Sequence, residues 1–274
     1  MKLSQRRAWA ALEIGPLWRP RQPAEADDRQ LASDTGPADE IEPIAAVGPP
    51  EAIGPSEAIG PSEAISSSEA ISPSEAIGSP AAAADGLDLA GLRAAVAACH
   101  ACRLCEQRTN TVFGVGDEQA GWMVIGEAPG ADEDRLGEPF VGRAGQLLDA
   151  MLAAVGRSRQ RGAYIANVLK CRPPGNRNPQ PEEVARCMPY LRRQIALIRP
   201  KVILVVGKVA AHALLDTEAS LASLRGRLHR YALDDTSIPV VVTYHPAYLL
   251  RQPLDKAKAW EDLQKAARLS GPDG

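Results

Sequence analysis

Five cysteines fall into two separated groups, a CHACRLC run holding Cys99, Cys102 and Cys105, and a later pair, Cys171 and Cys187. Between the groups a short apolar stretch, Met123 to Ile125, runs into GEAPGADED from Gly126 to Asp134. Intracellular four-thiolate centres are built from split cysteine pairs of this kind, so Cys99, Cys102, Cys171 and Cys187 read as metal ligands. The glycine-rich turn offers backbone amides to a ligand. It has neither the GxGxxG spacing of a dinucleotide site nor the lysine and hydroxyl of a P-loop, which argues against a nucleoside triphosphate. Its acidic run, Asp132, Glu133 and Asp134, has a plainer reading as carboxylates dressing a helix N-terminus. The pattern therefore places a thiolate centre and a ligand pocket in one domain.

The elements that must position these residues follow from periodicity. Runs rich in β-branched residues at 123–125, 164–169, 202–206 and 240–243 read as buried strands. Leu89, Leu92 and Val96 make a short helix that delivers Cys99, and Ala144, Leu147, Leu148, Met151, Leu152 and Val155 recur at helical spacing before Gly156. Another helix opens at Pro181, with a kink expected at Pro189, and the last begins at Pro253. Near-continuous apolar strands alternating with helices predict an α/β fold, a three-layer α/β/α sandwich around a four-stranded parallel sheet, preceded by a disordered N-terminal tail. Ligands of such sheets bind beyond the carboxyl ends of the strands. The loops there are GEAPGADED, the segment from Asn167, the turn at Gly207 and HPAYLLR from His245, and they should share one rim.

Composition changes abruptly near residue 85. Before Gly86 there are 6 Lys+Arg against 14 Asp+Glu, and from Gly86 onward 25 against 20, so the whole-chain charge of −3 hides an acidic tail and a mildly basic domain. Basic surplus suits a polyanionic partner. Between Glu51 and Pro80 a six-residue unit recurs five times, from EAIGPS to EAIGSP, too poor in apolar residues to bury a core. The chain thus divides into a possible partner-binding peptide at 1–22, a disordered acidic linker at 23–85, and a folded domain at 86–274. The 1–22 peptide keeps Arg6, Arg7, Trp9, Leu12, Ile14 and Trp18 together. It resembles the N-terminal peptide of the psi subunit of bacterial DNA polymerase III, which implies the chi subunit as a partner. No secretory signal is visible and no apolar run reaches bilayer length, so a cytoplasmic monomer is expected, with no membrane partner.

Four stretches coincide in order and spacing: GEAPGADED at 126–134, GEPFVGRAGQLLD at 137–149, NVLKCRPPGNRNP at 167–179 and HPAYLLR at 245–251. Together they resemble the family 4 uracil-DNA glycosylases, the iron-sulfur branch of that superfamily, over about Leu89 to Leu269. The resemblance implies release of uracil from DNA with an abasic site left behind, the first step of base excision repair. By motif position His245 donates a hydrogen bond to uracil O2, Asn167 reads N3 and O4, and Phe140 stacks on the flipped base. Gly126 and Glu127 border the pocket, and Glu133 or Glu127 orients the attacking water. Ala128 stands where the best-known branch has its catalytic aspartate, and Gly130 where it has a tyrosine against thymine. Leu249 is expected to enter the base stack, with Arg251, Arg172, Lys170 and Arg177 lining the rim against phosphates. The four cysteines named above map onto the ligands of a [4Fe-4S] cluster, with zinc as the alternative and Cys105 as the spare. Two other readings stand beside this one: a glycosylase with altered base preference, against which Glu127 and Asn167 speak, and a non-enzymatic DNA-binding adaptor.

Overall fold

The computed structural model describes residues 80–234 and 236–271. The expected 1–22 peptide and the repeat up to residue 79 lie outside the described residues. In chain order the elements are α1 (Pro80–Ala84), α2 (Leu89–Ala97), β1 (Val115–Gly116), β2 (Trp122–Gly126), α3 (Ala131–Leu136), α4 (Arg143–Ala154), β3 (Ala163–Asn167), α5 (Pro181–Ile198), β4 (Val202–Val206), α6 (Lys208–Leu215), α7 (Leu221–Leu224), β5 (Leu228–Leu233), β6 (Thr236–Thr243), α8 (Pro246–Arg251) and α9 (Lys256–Ser270).

The four expected strands are present, parallel and adjacent, in the order β3-β2-β4-β6. Two antiparallel edges extend them, β1 beside β3 and β5 beside β6, making a six-stranded sheet. Alternation along each central strand divides the core between two faces. Met123, Ile125, Ile203 and Val205 pack against Leu191 and Ile195 of α5 and Ala211 of α6. Trp122, Val124, Val202 and Leu204 pack against Leu148 and Met151 of α4 and Leu263 of α9. Both faces are therefore covered, which is why every residue of β2, β3 and β4 is buried and why the strands carry no polar alternation.

Ala84, which precedes Gly86, is 3% exposed and packs with Leu92, Val96, Phe113 and Tyr190. The α5 helix continues through Pro189 from Pro181 to Ile198, opened by a Gln180–Glu183 capping box and closed by Arg199 in a left-handed conformation. No helix among the described residues is long and apolar enough to cross a membrane.

Candidate active site

The carboxyl ends of β2, β3 and β6 meet in a cleft of about 550 Å³ whose lining includes Glu127, Phe140, Asn167 and His245. The sheet order explains the convergence: the chain leaves β2 for β3 on one side, then reaches β4 on the other, and the crevice opens at that reversal. Three of the four expected loops reach the cleft directly, and the fourth touches it from behind. Gly207 (φ +98°) ends β4, and a Cβ there would stand 3.2 Å from His245 Cβ, so only glycine lets the histidine sit at this height. Gly126 is needed for closeness too: a Cβ would clash with Asn167 Oδ1 and lie 2.6 Å from Phe140 Cζ.

His245 is the N-cap of α8, with Pro246 at the first helical position. Its Nδ1 accepts the Ala247 amide at 3.1 Å, so the ring proton of the neutral form sits on Nε2. Burial, then the nearby Arg251 charge, push its pKa down to about 4 against a pull upward from Glu133. At neutral pH the ring is an uncharged donor. The ordinary value of 6.5 exceeds the folded one, so between them the unfolded chain binds more protons and stability rises with pH. The contribution of His245 is complete above that window and disappears as pH falls toward 4. Melting temperatures followed downward from neutral pH should drop through this range, and drop less in His245→Gln.

Asn167 ends β3 and is 2% exposed. Its Oδ1 is buried with no hydrogen-bond partner among the described residues. An unpaired buried acceptor costs about 1–3 kcal/mol, which a ligand with a donor at that place recovers. Phe140 is 6% exposed and holds φ +56°, a left-handed conformation rare for an aromatic residue. Its ring stacks on His245 with centroids 5.6 Å apart and planes 29° from parallel. Arg159 fixes that conformation: it donates to the Pro139 carbonyl at 2.6 Å and to the Phe140 carbonyl, and pairs with Asp149 at 2.7 Å.

The carboxylates divide their roles. Glu133 is the third residue of a capping box, and its two oxygens accept the amides of Gly130 and Val141, each at 3.0 Å, tying the GEAPG turn to the Phe140 segment. Burial alone raises the Glu127 carboxyl above its usual range, and no side-chain partner engages it among the described residues. Asp132 is an exposed first-turn carboxylate beside Arg135, and Asp134 is buried, accepting the Thr109 amide at 2.9 Å.

Two expected rim residues are elsewhere. Leu249 is 1% exposed and belongs to the core with Leu148 and Met151, because α8 turns it inward, so it cannot enter a base stack from there. The exposed apolar side chain of this segment is Leu254, at 92%. Lys170 is 1% exposed: its Nζ donates to the Asn167 carbonyl at 2.8 Å and to Gln194 Oε1 at 2.6 Å, and burial pushes its pKa down to about 8. Arg251 is exposed on the cleft edge as expected. Arg177 lines the cleft while pairing with Glu183 at 2.6 Å, and Arg172 holds Asn176 Oδ1 at 2.7 Å. Sequence reasoning missed Tyr248, which lines the cleft, stacks on Tyr244 and donates to Asp255 Oδ2 at 2.6 Å.

Cys99, Cys102, Cys105, Cys171 and Cys187 all line one second cavity between the α2 end, the segment after β3 and α5. Among the described residues no group of three or more His, Cys, Asp or Glu is arranged to hold a single metal ion. Donors nevertheless point at the sulfurs. Arg108 Nη1 lies 3.2 Å from Cys171 Sγ, and the Lys170 amide 3.3 Å from Cys187 Sγ. Burial raises the Cys171 and Cys102 thiols and takes Cys187 up to about 12, so without a metal these groups are protonated. A donor set of thiols alone, ringed by N–H groups, fits a soft metal centre.

The family model for the uracil DNA glycosylase superfamily matches residues 113–264. A type-4 uracil-DNA glycosylase of Archaeoglobus fulgidus is 44% identical over 180 residues, 64% of this chain and 90% of the relative. Corresponding enzymes of Thermotoga maritima and Pyrobaculum aerophilum are 41% identical over 179 residues and 40% over 181, covering 91% and 92% of those relatives and 64% and 65% of this chain.

Proposed function

The chain belongs to the uracil DNA glycosylase superfamily, alongside its type-4 enzymes, and from that premise we propose that the cleft between β2, β3 and β6 binds a uracil swung out of DNA. The protein is a DNA glycosylase: it hydrolyses the bond between uracil and deoxyribose, releasing free uracil and opening base excision repair. The observation that carries the site assignment is the orphaned Oδ1 of Asn167 at the floor of the cleft. Uracil N3–H supplies the missing donor, and the Asn167 amide N–H donates to O4. Cytosine presents an acceptor at N3 and a donor at C4, so both contacts fail, and a buried mismatch of this kind discriminates strongly.

When water attacks C1′ the C1′–O bond forms and the water's proton passes to the Glu127 carboxylate, while the C1′–N1 bond breaks and its electrons leave on the base, which departs as an anion. His245 Nε2–H is the donor for O2, where that charge gathers, and its low pKa keeps it a neutral donor throughout. Phe140 supports the imidazole and supplies the apolar wall of the slot. Glu127 takes the attacking water, because its oxygens are not committed, whereas Glu133 holds the loop. Cys99, Cys102, Cys171 and Cys187 would hold a [4Fe-4S] cluster, which when bound would tie the end of α2 to the segment after β3 and to α5 and would take no part in the hydrolysis.

Arg251 at the cleft edge meets backbone phosphate, and Leu254 fills the gap that the extruded base leaves in the stack. A duplex has a partner strand to prise apart and a single strand does not. Leu254→Ala is therefore expected to slow excision from duplex by about tenfold more than from single strands; equal losses on both substrates remove the role from Leu254. A cytoplasmic monomer, and the chi subunit as partner of the 1–22 peptide, complete the proposal. Its direct test is a set of oligonucleotides that differ at one position: those with uracil should become alkali-labile, and those with thymine or cytosine should not.

A further inference from the structure

Lysine is almost never fully buried without a countercharge. Lys170 is 1% exposed, and its two side-chain hydrogen-bond partners, the Asn167 carbonyl and Gln194 Oε1, are both neutral. It sits in a strap that runs from the cleft floor to the thiol-lined cavity. The amides of Val168 and Leu169 donate to the Gly126 and Glu127 carbonyls at 2.9 and 3.0 Å, continuing the β2–β3 pairing past its end. The next amide, that of Lys170 itself, turns to Cys187 Sγ at 3.3 Å, and the Lys170 carbonyl accepts from Val112 at 2.8 Å. Cys171 follows, held by Arg108. The Lys170 side chain folds back over this strap and closes it onto Asn167, while Gln194 is held in turn by donating to the Phe113 carbonyl at 2.9 Å.

We propose that Lys170 is a positioning residue that couples the thiol-lined cavity to base recognition by bracing the backbone carbonyl of Asn167. The inference rests on the reading of Asn167 as the base-reading side chain. Among the described residues the Asn167 carbonyl has no hydrogen-bond partner other than this ammonium, while the Val168 amide of the same peptide is held on Gly126, so loss of the ammonium leaves the carbonyl unpaired and lets the peptide tilt about that one remaining bond, carrying the side-chain amide off the uracil edge. The same strap ends on two of the thiols, so whatever orders the sulfurs also orders Asn167.

The test compares metal-loaded wild type with Lys170→Met, Gln194→Glu and a core control in α6, Leu214→Ala, a residue with no part in the Lys170–Asn167–Gln194 hydrogen bonds. Lys170→Met removes the donor at similar volume. Gln194→Glu keeps the lysine but offers it a carboxylate that draws Nζ off Asn167, so it serves if the first variant does not fold. Affinity for free uracil is expected to fall about tenfold in either variant, the worth of one charge-assisted hydrogen bond, with iron content and visible absorbance retained. KM for uracil-containing DNA should rise more than kcat falls, and Leu214→Ala should leave uracil affinity unchanged. Unaltered uracil affinity in a folded Lys170→Met or Gln194→Glu protein overturns the proposal, as does an equal loss in Leu214→Ala. Failure of wild type to release uracil from any DNA would instead count against the function itself.

Discussion

His245→Ala is expected to slow uracil release by about 10²–10³-fold in single-turnover experiments while DNA binding changes little, because one preorganised donor to a developing oxyanion is worth that much. The expectation follows from three features of the residue. Its Nδ1 is committed to the Ala247 amide, so Nε2 must be the donor. Its pKa near 4 means that no proton is lost or gained at neutral pH. Its ring rests on Phe140, whose left-handed backbone is pinned by Arg159, so the donor is aimed before substrate arrives. In the proposed role the charge that His245 meets exists only as the bond breaks, so truncation should appear in kcat and leave substrate affinity nearly intact. A variant that binds uracil-containing DNA far more weakly and turns over at the wild-type rate would place His245 in ground-state binding instead.

Loss of the proposed metal centre is expected to carry the second large effect. A structural metal contributes binding free energies on the order of 10–16 kcal/mol in zinc peptides, against a total stability of about 5–15 kcal/mol for a typical domain. Cys99 and Cys187 belong to a small apolar cluster with Ala84, Leu92, Val96, Phe113 and Tyr190, a core too small to hold the N-terminal helices alone. Cys171→Ala should therefore lose visible absorbance and iron, and melt far below the loaded protein. Cys105→Ala should keep all three properties if, as proposed, the other four thiols of the cavity are the ligands. Zinc in place of iron, or a metal-free protein that melts with the loaded one, would contradict this assignment.

How much of this could be read in the sequence depended on whether the signal was local. The four parallel strands were legible because β-branched runs buried on both faces have no other interpretation, and the carboxyl-end rule then gathered Glu127, Asn167 and His245 at one cleft. Strands β1 and β5 were not legible: one is two residues long, and the other alternates between exposed and half-buried positions while carrying His229 and Arg230. The family resemblance pointed to Leu249 by its place in the HPAYLLR motif, but motif position does not say which way a helix faces, and α8 turns that leucine into the core while Leu254 beyond it stays in solvent. Lys170 misled for a related reason. Charge predicts exposure, and the Asn167 carbonyl and Gln194 Oε1 that accept its hydrogen bonds come from separate elements. Arg159 and Tyr248 act through partners that no motif announces.

The central claim is that this cleft accepts uracil from DNA and releases it as the free base. Free uracil liberated by metal-loaded protein from a strand with one deoxyuridine, counted against abasic sites formed, tests it most directly. The account predicts one uracil for each abasic site, and almost none of either from His245→Ala. Intact deoxyuridine in both single-stranded and duplex substrates, with the metal centre present, would contradict it.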